Sequence, residues 1–158
     1  MAGKLKIYLE TTMFNYYFDS DRDAHPYTVR LFEEIAAGKY EAYTSEYVVR
    51  ELEAAKKDKR GKMLDLIQDY GITVLDADPK ALRLANVYIE AKIIPDNYLA
   101  DALHIAIASI NGMDMILSLN FKHIVSRTTE ELTGAINKLN GYRAVEIRPP
   151  MEVAEYED

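Results

Sequence analysis

At 158 residues, 49% apolar and 28% charged, the chain is long enough for one hydrophobic core and too short for two ordinary domains. The absence of cysteine excludes a disulfide framework and a thiolate zinc site, and no apolar run reaches the roughly 18 to 20 residues of a membrane span. A formal charge of -7 argues against a surface given over to nucleic-acid phosphate, although a cation held among clustered acids would cancel part of it.

The first strand is expected at "KIYL" (6 to 9), and it runs into Glu10, Thr11 and Thr12. The aromatic string "MFNYYF" (13 to 18) has helical spacing, which suits core or dimer contact better than stacking on RNA bases. A helix over "YTVRLFEEIAAG" (27 to 38) leads to a second strand, "YEAYT" (40 to 44). That strand passes through Ser45 into the helix "SEYVVRELEAA" (45 to 55), whose second turn carries Glu51. "KKDKRGK" (56 to 62) holds five basic residues and reads as a solvated helix connection ahead of a phosphate-binding patch.

A helix over 59 to 71 and the strand "ITVL" (72 to 75) follow, then the helix "PKALRLANVYIEA" (79 to 91). The helix "LADALHIAIASING" (99 to 112) sets Asp101 in its first turn and His104 three residues on, on the same helical side. "MILSL" (115 to 119) is the fourth strand and brings Ser118 and Asn120 to its end. The last helix, 128 to 141, opens on Thr128 with Glu131 at capping-box spacing, and "AVEIR" (144 to 148) closes the set of five strands. Gly38, Gly71, Gly112 and Gly141 fall where a glycine would end a helix.

Alternation of strand and helix predicts an α/β fold, a three-layer α/β/α sandwich on a mainly parallel five-stranded sheet. One domain is expected over residues 1–150, followed by an acidic C-terminal tail, 151–158. "MAGKLKIYLE" places an acid where a signal peptide would continue apolar, so a cytoplasmic protein with no membrane contact is expected.

In an open α/β sheet, ligands bind beyond the carboxyl ends of the strands. Glu10, Glu51, Asp101 and Asn120 all fall at that level. Carboxylates brought close together repel unless a cation bridges them, and hard ions such as Mg²⁺ or Mn²⁺ prefer such oxygen donors. A cation there would activate water and neutralise phosphoryl charge, which suits phosphodiester hydrolysis. His104 reads as a packed histidine beside the site, ahead of a role in binding phosphate or moving a proton. His25 and His123 show no ligand spacing with it, so no zinc site is expected.

The stretches "IYLETTMFNYYF", "SEYVVRELE", "ADALHIAIA" and "MILSLNFKHI" resemble, in order, the four motifs of PIN-domain nucleases of the VapC-like type. The third is the most specific. The resemblance implies that Glu10, Glu51 and Asp101 are the catalytic, metal-binding acids, with Asn120 at the fourth metal position. It implies that Ser45 orients the acids and that Thr12 and Ser118 support them. It further implies a metal-dependent endoribonuclease acting on RNA, the toxin of a toxin-antitoxin pair with an antitoxin partner, and a homodimer, the commonest symmetric assembly. Glu10 stands where the motif usually has Asp, and Asn120 where an aspartate is frequent.

A second reading is a PIN-like module, weak or inactive in catalysis, that binds RNA or a protein. A third, a receiver-like signalling domain, would need an acceptor Asp ending the third strand and a Lys ending the last. Asp76 follows "ITVL", but "AVEIRPP" offers no such lysine.

Overall fold

A computed structural model of the chain describes residues 3–154. Its elements are β1 (Leu5–Leu9), α1 (Thr11–Tyr17), α2 (His25–Ala36), β2 (Tyr40–Ser45), α3 (Glu46–Glu53), α4 (Lys57–Asp69) and β3 (Thr73–Leu75). After these come α5 (Pro79–Glu90), α6 (Leu99–Ile110), β4 (Met115–Leu117), α7 (Arg127–Leu139) and β5 (Glu146–Arg148), with 3-10 turns at Asp96–Tyr98 and Pro150–Glu152.

The five strands form one sheet in the order β3-β2-β1-β4-β5, and every pairing is parallel. Right-handed crossovers then put α1 to α4 on one face and α5 to α7 on the other. The helix contacts agree: α1 packs on α2, α3 and α4, while α5 packs on α6 and α7. The expected three-layer α/β/α architecture is therefore present.

β1 and β4 occupy the centre, with Tyr8 opposite Ile116 and Leu9 opposite Leu117, and all four are fully buried. The two neighbours of β1 continue in opposite directions, so the crevice at the carboxyl ends of β1 and β4 is the point where the winding reverses. α6 is buried over Ala102–Ser109 because it lies between the sheet and α5, which explains apolar residues all round it.

Each helix of the α5–α7 layer contributes to one buried polar knot. Tyr88 donates its hydroxyl hydrogen to Asn137 Oδ1, while Asn137 Nδ2 donates to Ser109 Oγ at 2.8 Å and to the Arg143 carbonyl at 3.0 Å. Replacing Asn137 by Leu leaves the Tyr88 hydroxyl only its longer contact with Ser109 Oγ, at 3.3 Å, and strands the Arg143 carbonyl, and a loss of about 2 kcal/mol is expected in denaturant melts. An unchanged midpoint would mean that water satisfies both groups.

Two local expectations differ from what is observed, and one stretch expected to serve the core forms a helix of its own. "MFNYYF" lies largely within α1, an element not assigned from the sequence. Met13 and Phe14 are buried, and Tyr17 meets Phe32 edge-on with ring centroids 5.0 Å apart, so these rings serve the core. The cap of α7 is Ser126, whose Oγ accepts from Thr129 N at 3.0 Å, in place of Thr128; Glu131 pairs instead with Arg127 on the helix surface. The expected tail begins as the 3-10 turn Pro150–Glu152, and Val153 and Ala154 pack on the core. Residues 155–158 lie outside the described residues.

The four helix-ending glycines all have positive φ, from 63° to 85°. The equivalent position after α5 is Lys92, at φ 61°, a left-handed conformation in a side chain that carries a Cβ. No helix among the described residues is long and apolar enough to cross a membrane.

Candidate metal centre

Glu10 ends β1 and stands at the N-terminus of α1. It is only 3% exposed. Its Oε1 accepts from Thr12 Oγ1 and from Ser118 Oγ, both at 2.6 Å, and Oε2 takes no hydrogen bond among the described residues. The supports are themselves held: Leu119 N donates to Thr12 Oγ1 at 2.7 Å and Asn120 N to Ser118 Oγ at 3.0 Å. The ends of β1 and β4 are thus laced together through one carboxylate.

Asp101, in the first turn of α6, accepts from Asn120 Nδ2 at 3.1 Å, and its second oxygen has no partner among the described residues. Burial pushes the Asp101 carboxyl up from its ordinary value, and Glu51 adds to this. His104, Asn120 and His123 pull the other way and do not cancel it.

Glu51, on α3, leans toward His104. Its Oε1 lies 2.6 Å from His104 Nε2, and its side chain is 41% exposed while the histidine is buried. Burial would raise the Glu51 carboxyl, but the hydrogen bond and charge of His104, helped by the nearby Thr11 hydroxyl, hold it below its ordinary value. Thr11 Oγ1 is itself buried without a well-formed hydrogen bond. Burial opposes the charged form of His104, yet the Glu51 bond and the charges of Glu10, Glu51 and Asp101 raise its pKa overall.

Behind His104, its Nδ1 lies 2.8 Å from the Tyr8 hydroxyl, which lies 2.8 Å from Ser45 Oγ. Ser45 Oγ also accepts from Val48 N at 3.3 Å and so caps α3. With His104 neutral and its hydrogen on Nε2, that nitrogen donates to Glu51, Tyr8 donates to Nδ1 and Ser45 donates to Tyr8; with His104 protonated, Nδ1 donates to Tyr8, which turns its hydrogen to Ser45. Burial raises the Tyr8 hydroxyl well above its ordinary value, so it stays protonated.

Glu10, Glu51 and Asp101 therefore surround one buried imidazole, that of His104. They do not close on one another. Among the described residues no three His, Asp or Glu side chains stand where they could jointly hold an ion. Asn120 Oδ1 accepts from His123 N and its Nδ2 donates to Asp101, both at 3.1 Å, so in this arrangement the amide steadies the Asp101 carboxylate.

Donor chemistry nonetheless fits a hard divalent cation. Among the described residues, Glu10 and Asp101 each keep a carboxylate oxygen without a partner, and no lysine or arginine pairs with either.

Tyr8 is the one member of the row that its sequence neighbourhood did not single out. The signal was period two: it lies two residues before Glu10, on the same side of the strand. His123, with its ring on Tyr98, was noted only as lacking ligand spacing.

A wholly parallel sheet with acids gathered at its winding reversal defines an α/β domain with an acidic site at the carboxyl edge of its central strands. A family model described as "PIN domain" matches residues 7–125, and the chain belongs to that family. Two solved structures share the fold. VapBC2 from Rickettsia felis, bound to a DNA fragment from its promoter, is similar with a TM-score of 0.57 and 16% identity, over 92% of this chain and 98% of that one. VapC20 of Mycobacterium tuberculosis, described as a sarcin-ricin loop cleaving toxin, is similar with a TM-score of 0.52 and 14% identity, over 89% and 98%. The search against curated proteins found no match.

Proposed function

We propose that the chain is a metal-dependent endoribonuclease that hydrolyses RNA phosphodiester bonds as the toxin of a toxin-antitoxin pair. The observation that carries this is Glu10, a carboxylate buried at the winding reversal with one oxygen fixed by two hydroxyls and the other left without a partner among the described residues. Likeness to VapC20 and VapBC2 supports the substrate class and the antitoxin partner. A homodimer in the cytoplasm belongs to the same reading.

Glu10 and Asp101 would hold Mg²⁺ or Mn²⁺, joined by Glu51 once it turns from His104. Such an ion, when bound, neutralises charge on a phosphoryl oxygen and makes water more acidic. The chain's own groups do the positioning. Thr12 and Ser118 fix the Glu10 carboxylate, Asn120 fixes Asp101, and the row from Ser45 through Tyr8 to His104 holds Glu51 in reach. Without a cation the three acids repel RNA, so substrate approach is coupled to metal binding.

A second reading, an RNA- or protein-binding module, is favoured by Asn120, which presents a nitrogen where a fourth acid would stand. End-labelled single-stranded RNA incubated with the purified chain separates the two. Cleavage in Mn²⁺ that stops on adding EDTA is expected. RNA that is bound but left intact in Mn²⁺ would establish the module instead.

A further inference from the structure

Phe121 follows Asn120 directly, is 54% exposed, and packs against neither the core nor another ring among the described residues. Next in the chain, Lys122 pairs with no carboxylate among the described residues and holds its Nζ 5.7 Å from the Tyr98 ring centroid. The His123 ring lies on Tyr98 with centroids 3.8 Å apart and 35° between planes. This stack ties the loop after β4 to the 3-10 turn that opens α6, and the His123 backbone N–H is bonded to Asn120, which in turn holds Asp101. An exposed ring and an unpaired ammonium are therefore mounted on a braced corner beside the acids.

We infer that this corner is a nucleotide subsite of the proposed nuclease site, in which Phe121 stacks on one unpaired base of single-stranded RNA and Lys122 takes a neighbouring backbone phosphate. A ring free on the surface receives any base by its face, whereas bases within a duplex are already stacked. The ammonium offsets the repulsion that the nearby acids exert on the strand. Hydrolysis rests on the reading above; stacking does not.

The chain has no tryptophan, so Phe121→Trp places a single indole at the subsite. Rapid mixing with a short oligoadenylate in Mn²⁺, read before cleavage, is expected to quench it, and the same strand in a duplex is not. Phe121→Ala is expected to weaken oligoadenylate binding about tenfold and Phe121→Tyr to restore it. Lys122→Ala is expected to reduce the salt dependence by about one counterion. The subsite is overturned if the indole is unquenched, if the duplex quenches equally, or if Phe121→Ala binds as tightly as wild type. Quenching with no cleavage in Mn²⁺ would keep the subsite and remove the nuclease.

Discussion

Asp101→Asn is expected to lower Mn²⁺-dependent RNA cleavage at least about 100-fold while leaving the fold intact. Burial is the main reason that the Asp101 carboxyl sits above its ordinary value, so its ionised form is held at a cost to the folded chain. The sign follows: an acid raised on folding withdraws stability at neutral pH and returns it as pH falls through the folded value. Asn removes that cost and keeps an oxygen for Asn120 Nδ2. The apo variant should therefore melt no lower than wild type. Mn²⁺ should raise the wild-type melting temperature, and the variant should lose that rise. Full cleavage by the variant would remove Asp101 from the site. Equal inactivity of both proteins on varied RNAs would favour the binding module.

His104→Leu is expected to cost about 3 kcal/mol of stability, at the low end for a broken buried ion pair because Glu51 keeps part of its contact with water. Leucine fills the space but leaves the Tyr8 hydroxyl with Ser45 alone and releases Glu51 from its buried partner. Gln at 104 keeps a donor for Glu51 and should recover part of the loss. In EDTA the pair also leaves a signature in pH. His104 is raised on folding, so its contribution is full below the ordinary 6.5 and is lost as pH rises through the folded value. Glu51 is lowered, so its contribution is full above the ordinary 4.5 and is lost as pH falls through the folded value. Wild-type minus variant stability, from denaturant melts between about pH 4 and about pH 9, should form a plateau between 4.5 and 6.5 with falling flanks. A flat difference would mean that His104 is neutral throughout.

Much of the framework was legible because it depends on local pattern. Apolar runs marked the five strands, and glycines marked the ends of four helices. α1 was legible only in part: the helical spacing of "MFNYYF" pointed to core contact, but residues rich in Tyr and Phe also carry strand preference, so no bounds could be set. The α7 cap was misplaced because Ser126, Thr128 and Thr129 all offer a hydroxyl, and only the backbone geometry selects among them. Glu10, Asp101 and Asn120 could be placed at one height by the strand-end rule. The turn of Glu51 toward His104 could not, nor could the direction of the Asn120 amide. Both are set by partners remote in sequence, and an amide reads alike whether it offers nitrogen or oxygen.

The pairing of β1 with β4 also bears on how such a chain is made. Glu10 and its support Ser118 are 108 residues apart in sequence, and Asp101 precedes β4 by only a few turns of chain. A nascent chain that ends before β4 carries Glu10 and Glu51 but has no strand to fill the open side of β1 and no hydroxyl from Ser118. Under the proposed function, the order of synthesis acts as a safety catch, because the last parts of the acid site arrive only when the sheet can close.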